Sequence, residues 1–264
     1  MFADDTKIWT QLSCPEDAAN FQEDLDMLSS WSAKWLLKFN QLKCKLMHLC
    51  HNMDTKYHIT QDGQKWNIEP VQQEKDLGVL TSCYLYMFYQ CMEAASKTSR
   101  VLGMVRRQFK VLDKQSFLII YKGFIRPHLE YAIQTWSPYL RRDIDCLEKV
   151  QRRATKIVDG LRNLPYELRL QMLKLTSLEK RRQRGDVIEV YKILMGKEGV
   201  NPNRFFTLDK RAYNTRGHEL KLYTNRSRLD LRKNFFSQRV VSQLEQPPSN
   251  SRQSRVSQQF QESS

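Results

Sequence analysis

The sequence predicts an α+β fold in which a short mixed region precedes a mainly helical one. Short runs separated by turn residues occupy residues 1–80, whereas apolar residues recur at helical spacing from residue 84 to residue 196. Hydrophobic residues make up 41% of the 264 residues and aromatic residues 11%. This composition is sufficient for a packed core and argues against a wholly disordered chain.

The first region contains one predicted helix. Ser13-Cys14-Pro15-Glu16 resembles a capping box with proline in the first turn, and the helix should end near residues 40–41. Five large apolar residues share one face of this helix: Phe21, Leu25, Leu28, Trp31 and Trp35. Trp31 and Trp35 could stack on nucleic-acid bases, but their place on the apolar face favours core packing.

Four short strands are predicted in the same region, at residues 43–49, 57–60, 65–68 and 77–80. The middle two flank Asp62-Gly63, which is typical of a tight hairpin turn.

Helices dominate the second region, at residues 84–108, 114–135, 141–159, 166–173 and 178–195. Pro127 should kink or interrupt the second of them. Thr176-Ser177-Leu178-Glu179 is a capping box that opens the last helix, and Gly196 should close it. Residues 197–242 form a less regular basic region with one helix near 231–243, and residues 243–264 carry few apolar side chains.

The charge of the chain indicates a polyanionic partner. It has 43 Lys and Arg against 29 Asp and Glu, a net charge of +14, and nucleic acid is the commonest partner of such proteins. A basic surface that serves solubility and a lipid-binding face remain as alternatives. Apolar runs are too short to cross a bilayer, so we expect no membrane partner.

The N-terminus and the cysteines predict an intracellular protein of the nucleus or cytoplasm. The chain starts with acidic residues in place of the basic start of a signal peptide. Its six cysteines are scattered, as in proteins with reduced thiols. Cys44, His48, Cys50 and His51 lie close together, but no second ligand pair follows at zinc-finger spacing.

Basic residues concentrate on one face of a predicted helix at 144–158. The apolar face is formed by Ile144, Leu147, Val150, Ala154, Ile157 and Val158. The opposite face carries Lys149, Arg152, Arg153 and Lys156. A second cluster consists of Lys180, Arg181, Arg182 and Arg184. Such stripes suit the phosphates of RNA or DNA, although a plain solvated face is the usual explanation of any one run.

Phe2-Ala3-Asp4-Asp5 is the sharpest catalytic signal. Adjacent carboxylates at a turn between strands can hold the two divalent metals of phosphoryl-transfer enzymes. An Asp-Asp pair is more often a solvated turn, so the motifs that follow it in the sequence must decide between a catalytic pair and a turn. That context is a series of further motifs in one order: WSxxW at 31–35, FNQLKCK at 39–45, DLGV at 76–79, YKGFIRPHLEYA at 121–132, WSPY at 136–139, LEKVQRRATK at 147–156, RGDVIEVYK at 184–192 and TRGH at 215–218.

This succession resembles the reverse transcriptases of non-LTR retrotransposons, the LINE elements of the jockey and chicken-repeat kind. The resemblance covers roughly residues 1–241. It implies an RNA-directed DNA polymerase: a palm remnant at 1–80, then a mainly α-helical thumb-like region at 83–196 that grips template and primer, RNA or DNA. It also implies that Asp4 and Asp5 are catalytic Mg²⁺ ligands, Asp4 the principal one, and that Lys43 lies near the lysine that protonates pyrophosphate.

The family's further palm aspartate, its fingers and its endonuclease precede the segment matched here. We therefore expect this chain not to extend a primer by itself, and to bind RNA or DNA without sequence preference. Two other hypotheses stay open. One is a domesticated binding or scaffold protein without catalysis, and the other is an active polymerase represented by a truncated gene model. The genomic sequence upstream of Met1 distinguishes the last from the others.

The resemblance ends at residue 242, where the family typically continues with Trp-Asn-x-Leu-Pro and ends near Phe-Lys. With suitable third bases, the second reading frame of codons 243–263 spells Trp-Asn-Ser-Leu-Pro and later Phe-Lys-Lys. We hypothesise a one-nucleotide insertion near codon 243. Residues 243–264 would then be an unselected, disordered tail, and apolar surface near Phe235 and Phe236 would be exposed. The coding DNA tests this hypothesis.

Overall fold

Helices and small sheets together confirm an α+β chain. The computed structural model describes residues 6–49, 55–208 and 221–245. The chain divides into two units, Met1–Tyr86 and Met87–Ser264. The second unit thus contains both the predicted helical region and the basic region that follows residue 196.

Helix α1 (Pro15–Trp35) opens the described secondary structure of the first unit. Its capping box is shifted by one residue from the predicted one, because Cys14 is the N-cap and Asp17 reaches back to it. The Asp17 carboxylate accepts from the backbone N–H groups of Ser13 and Cys14, at 2.7 and 3.0 Å. These bonds hold the pKa of Asp17 below its ordinary value. The helix ends at Leu36, which adopts a left-handed conformation with φ of 57°.

The buried face of α1 differs from the predicted one. Leu25, Ser29 and Ser32 are buried, whereas Trp31 and Trp35 are 42% and 60% exposed. The predicted core packing is therefore wrong for both tryptophans. Serine can occupy a buried helix face because its hydroxyl bonds to a backbone carbonyl, as that of Ser29 does to Leu25 at 2.8 Å.

Among the described residues of the first unit, six short strands form three two-stranded sheets. The strands are β1 (Lys45–Leu46), β2 (His58–Gln61), β3 (Gln64–Asn67), β4 (Glu69–Pro70), β5 (Gln73–Asp76) and β6 (Val79–Ser82). β1 pairs with β4 in parallel, while β2–β3 and β5–β6 are antiparallel hairpins. The first hairpin confirms the prediction made from Asp62-Gly63.

Helix α1 packs on strand β2. The rings of Phe21 and Tyr57 meet edge to face with centroids 5.0 Å apart. The amide of Gln22 bonds to both backbone groups of His58 at 3.0 Å, as a neighbouring strand would. A side-chain amide thus satisfies backbone groups on the open edge of this hairpin.

The second unit is helical. Its helices are α2 (Phe88–Gln108), α3 (Lys114–Ile120), α4 (Arg126–Glu130), α5 (Ile133–Trp136), α6 (Arg141–Thr155), α7 (Tyr166–Met172), α8 (Leu178–Leu194), α9 (Asp230–Lys233) and α10 (Phe236–Glu245). Ser177 caps α8 and Gly196 follows it at φ +68°, as predicted. Within the described ranges, every helix is too short or too polar to cross a bilayer.

Pro127 interrupts the predicted helix at 114–135, as expected. One π-helical turn, Tyr121–Ile125, joins α3 to α4, and Pro127 lies in the first turn of α4. The missing proline N–H and the bulk of its ring disfavour a regular helix over the preceding turn. Phe117, Tyr121 and Ile125 of this segment belong to the main core, whose other buried members are Leu102, Leu112, Ala154, Val158, Leu161 and Leu173.

The end of the described chain packs on α8. Phe206, Leu222, Phe236, Val240 and Val241 are buried against Val190 and Ile193. The predicted exposure is therefore wrong for Phe236, which is 8% exposed, while Phe235 is 51% exposed. Helix α10 continues to Glu245, past the predicted start of the tail, and residues 246–264 lie outside the described residues.

Candidate nucleic-acid interface

Helix α6 separates an apolar face from a basic one, as the sequence predicts. Leu147, Val150 and Ala154 are fully buried. The basic residues Lys149, Arg152, Arg153 and Lys156 are all exposed. The helix ends at Thr155, earlier than predicted, so Lys156 is its C-cap. Burial of the apolar face fixes the rotation of the helix and hence the direction of its cations.

A groove of about 570 Å³ lies between α2 and α6. Two contacts join its walls: the Cys146 thiol lies 3.7 Å from the Met92 sulfur, and Arg153 Nη2 donates to Ser99 Oγ at 2.9 Å. We call this concavity the α2–α6 groove. It is lined by Met92, Ala95, Ser96, Ser99, Cys146, Lys149, Arg152 and Arg153.

Two of the groove arginines are held in position. The Ser99 hydroxyl donates to the Ala95 carbonyl at 2.7 Å, so its lone pair is directed to Arg153. The Arg152 guanidinium lies over the Tyr166 ring, 4.9 Å from its centroid. These contacts already restrict the rotamers of Arg152 and Arg153. Less side-chain entropy is therefore lost when the two arginines bind a phosphate.

Four basic residues in the C-terminal half of α6 have no acidic partner among the described residues. Within the described part of the chain, no carboxylate lies within 4.0 Å of the side-chain nitrogens of Lys149, Arg152, Arg153 or Lys156. Four unneutralised cations on one face produce a strongly positive local potential.

The Cys146 thiol belongs to the wall of the groove. Burial raises its pKa, and Asp143 adds to the shift while Lys149 and Arg153 oppose it. The thiol therefore remains protonated at neutral pH, and it is a weakly polar wall residue rather than an activated nucleophile.

The second predicted cluster does not form one surface. Lys180 and Arg184 are exposed, but Arg181 binds Glu130 through two bonds of 2.5 and 3.1 Å, and this pairing raises the pKa of Arg181. Arg182 is 4% exposed, and burial lowers its pKa. The assignment of Arg182 as a phosphate ligand is corrected accordingly, because a phosphate cannot reach a guanidinium inside the unit.

Sequence reasoning missed the contribution of α2. Met92, Ser96 and Ser99 recur at helical spacing and form the uncharged wall of the groove. Short polar residues on a long helix were a weak signal, because nothing local showed that a basic helix lies beside them.

The predicted catalytic residues are only partly described. Asp4 and Asp5 lie outside the described residues, so their role as Mg²⁺ ligands stays a prediction. Lys43 is exposed in the turn before β1. Among residues 6–49, 55–208 and 221–245, no three His, Cys, Asp or Glu side chains form a group that could hold a metal ion. His48 bonds to Thr55 Oγ1 at 2.9 Å, while Cys50 and His51 are not described.

Comparison with known proteins adds no family assignment. No protein-family model matches this chain. No curated protein and no solved structure matches it either.

Proposed function

We propose that the helical unit binds RNA or DNA through the α2–α6 groove and holds the sugar–phosphate backbone without reading base sequence. The observation that carries this proposal is a set of four cations that have no acidic partner among the described residues. Lys149, Arg152 and Arg153 line one groove, and Lys156 follows them at the end of α6. Contacts to phosphate oxygens supply affinity and no direct sequence information. Lys180 and Arg184 are exposed cations of the same unit and can add weaker contacts.

The alternatives fit the groove less well. A lipid-binding helix buries a broad apolar face in the membrane and carries cations beside it. In α6 the apolar residues Leu147, Val150 and Ala154 are buried within the unit and are not available to lipid. A basic surface that serves solubility needs no groove and no positioned arginines, whereas Arg152 and Arg153 are both anchored.

The proposal extends to the origin of the chain. We infer a fragment related to the reverse transcriptases of LINE-type mobile elements, in which residues 1–80 are a palm remnant and residues 83–196 are thumb-like. The order of motifs over residues 1–241 supports this inference. One of those motifs, residues 147–156, contributes the basic side of the groove. Template and primer, with Mg²⁺ at Asp4 and Asp5, belong to the same proposal.

The salt dependence of binding tests the groove. Replacing Lys149, Arg152, Arg153 and Lys156 together by Gln should flatten the slope of log K against log salt by about three to four units, because each lost phosphate contact releases fewer counterions. Binding is measured by fluorescence anisotropy with labelled RNA and DNA of several sequences. Wild-type affinity should vary little among those sequences.

A control with two replacements outside the groove separates the effect of the groove from that of net charge. Lys122 and Arg204 are exposed and lie on neither α2 nor α6. Replacing both by Gln should change the slope of log K against log salt much less than replacing any two of the groove cations by Gln does. An unchanged slope in the fourfold variant would remove α6 from the interface and overturn the proposal.

A further inference from the structure

Helix α2 continues well beyond the end of α6. The Met92–Cys146 and Ser99–Arg153 contacts both join residues that are 54 positions apart, so the two helices run in the same direction. At this offset, the last residue of α6, Thr155, lies level with Val101. The remaining turns of α2, up to Gln108, therefore extend about 10 Å past α6 at about 1.5 Å per residue.

The groove wall of α2 leads to two arginines in this extension. Met92, Ser96 and Ser99 lie on one face of α2. The same helical spacing continues along this face to Gly103 and then to Arg106 and Arg107. A Cβ atom at Gly103 would stand 3.8 Å from Arg107 Nη1, so the guanidinium lies over the glycine, back along the wall. Because Gly103 has no side chain, the surface of α2 between Ser99 and Arg107 is not obstructed at this position.

Arg106 and Arg107 share the electrostatic character of the groove cations. Both are exposed. No carboxylate of the described residues forms a salt bridge with either of them. They stand at the C-terminal end of α2, where the helix dipole favours cations and does not attract an acidic side chain of the same turn.

We propose that Arg106 and Arg107 extend the α2–α6 groove into one track of six cations that holds the backbone of a single nucleic-acid strand. This inference rests on the function proposed for the groove. From Lys149 to the level of Arg107 the track spans about 18 Å at about 1.5 Å per residue. That length accommodates no more than about five nucleotides at about 3.4 Å per nucleotide.

The walls of the groove favour one strand over two. Its cations belong to α6, while the lining residues from α2 are Met92, Ala95, Ser96 and Ser99, which are uncharged. A duplex presents two rows of phosphates, and the second row would meet this uncharged wall. The described residues that line the groove include no aromatic ring, so the bases of a bound strand face outward and are not stacked inside it.

Variants at the end of the track test the extension. In anisotropy titrations with a labelled 12-nucleotide single-stranded RNA, Arg106→Gln with Arg107→Gln should flatten the slope of log K against log salt by about 1.4 units, at about 0.7 per phosphate of a single strand. The double replacement by Lys keeps both charges and should keep the slope. A slope equal to that of the wild-type protein in the Gln variant would overturn the extension.

The fourfold groove variant, measured in parallel, separates the two proposals. If it loses salt dependence while the Arg106/Arg107 variant does not, the groove binds nucleic acid and the extension is wrong. If neither variant loses salt dependence, the function proposed for the groove fails as well.

Competition then tests the preference for one strand. An unlabelled single strand should displace the labelled RNA at least as well as a duplex of the same length and sequence, compared at equal phosphate concentration. Displacement by the duplex at a tenfold lower concentration would overturn the single-strand assignment.

Discussion

Arg239 connects three helices through one guanidinium group. Its Nε and Nη2 donate to the two carboxylate oxygens of Asp186 on α8, each at 2.9 Å. The same side chain donates to the Gln134 carbonyl of α5 at 3.0 Å and to the Asn234 carbonyl at 3.2 Å. The side chain of Arg239 is 11% exposed and that of Asp186 is 2% exposed, so solvent screens this ion pair weakly.

Arg239→Ala should lower the free energy of unfolding by about 3–5 kcal/mol, because it leaves the Asp186 carboxylate buried without its partner. Urea unfolding followed by circular dichroism measures the change.

Arg141→Ala is the matched control for this loss. Arg141 pairs with Asp145 at 3.3 Å, but its side chain is 70% exposed. Its replacement should cost less than about 1 kcal/mol, as is usual for surface pairs. Equal losses in the two variants would show that the buried pair is not what fixes α10 on α8.

Individual residue environments could be predicted only in part. The exposure of Lys149 and Arg153 follows from the period of the apolar residues around them. Arg181 and Arg182 stand in an equally basic run, and no local pattern distinguishes them from Arg184. The partner of Arg181 is Glu130, 51 positions away, and only the tertiary fold brings such residues together.

At the scale of elements, a buried polar network joins α6 to its neighbours. The Gln151 amide accepts from the Tyr121 hydroxyl and donates to Tyr166 and to the Thr176 carbonyl, at 2.9 and 3.0 Å. Tyr166 in turn donates to Glu148, whose other oxygen accepts from the first N–H of α8 at 3.1 Å. The network therefore links the basic helix to the π-helical turn and to α7 and α8.

This network predicts loss of stability at alkaline pH. Burial raises the pKa of Tyr121, with a further contribution from Glu130, and burial and the bond to Glu148 raise that of Tyr166. The stabilisation is complete below the unfolded pKa of about 10. It is lost as pH rises further, because the unfolded chain releases these protons and the folded chain retains them.

Urea titrations between about pH 8 and pH 11 measure this effect. The double variant Tyr121→Phe and Tyr166→Phe should show a shallower fall of stability above about pH 10, since neither ring can then ionise. Tyr223→Phe removes a more exposed hydroxyl and should leave the fall unchanged. A double variant that loses stability as steeply as the wild-type protein would contradict this account.

The two hairpins show which elements could be predicted. Asp62-Gly63 between β2 and β3 supplies two residues that tolerate positive φ, at 55° and 75°, and the hairpin was predictable from them. β5 has the sequence QEKD, without alternating apolar residues, and its turn places Leu77 at φ 45°. A strand was predicted at 77–80, which overlaps β6, but nothing in the sequence indicated its partner β5. Leucine is rare at positive φ, so the turn residues did not indicate the hairpin either.

At the scale of the whole molecule, the two units differ in how much apolar surface they bury. In the described part of Met1–Tyr86, the buried hydrophobic residues are Leu25, Tyr57 and Ile59. The helical unit has a core of nine buried residues around Phe117 and Tyr121, and a second core around Val240. The mixed region, predicted to come first, thus has the smaller core, and the helical region that follows it has the larger one.

Native-state hydrogen exchange of the full chain should find residues 84–191 better protected than residues 1–80. Isolated two-stranded sheets are marginally stable in water, and the described part of the first unit has three of them with little buried apolar surface. Amides there should exchange through local opening, at free energies well below global unfolding. In the helical unit, the amides of α2 and α6 should exchange most slowly, because opening either helix exposes the main core. Equal protection of β2–β3 and α6 would contradict this prediction, since burial of three hydrophobic residues could not then account for the stability of the first unit.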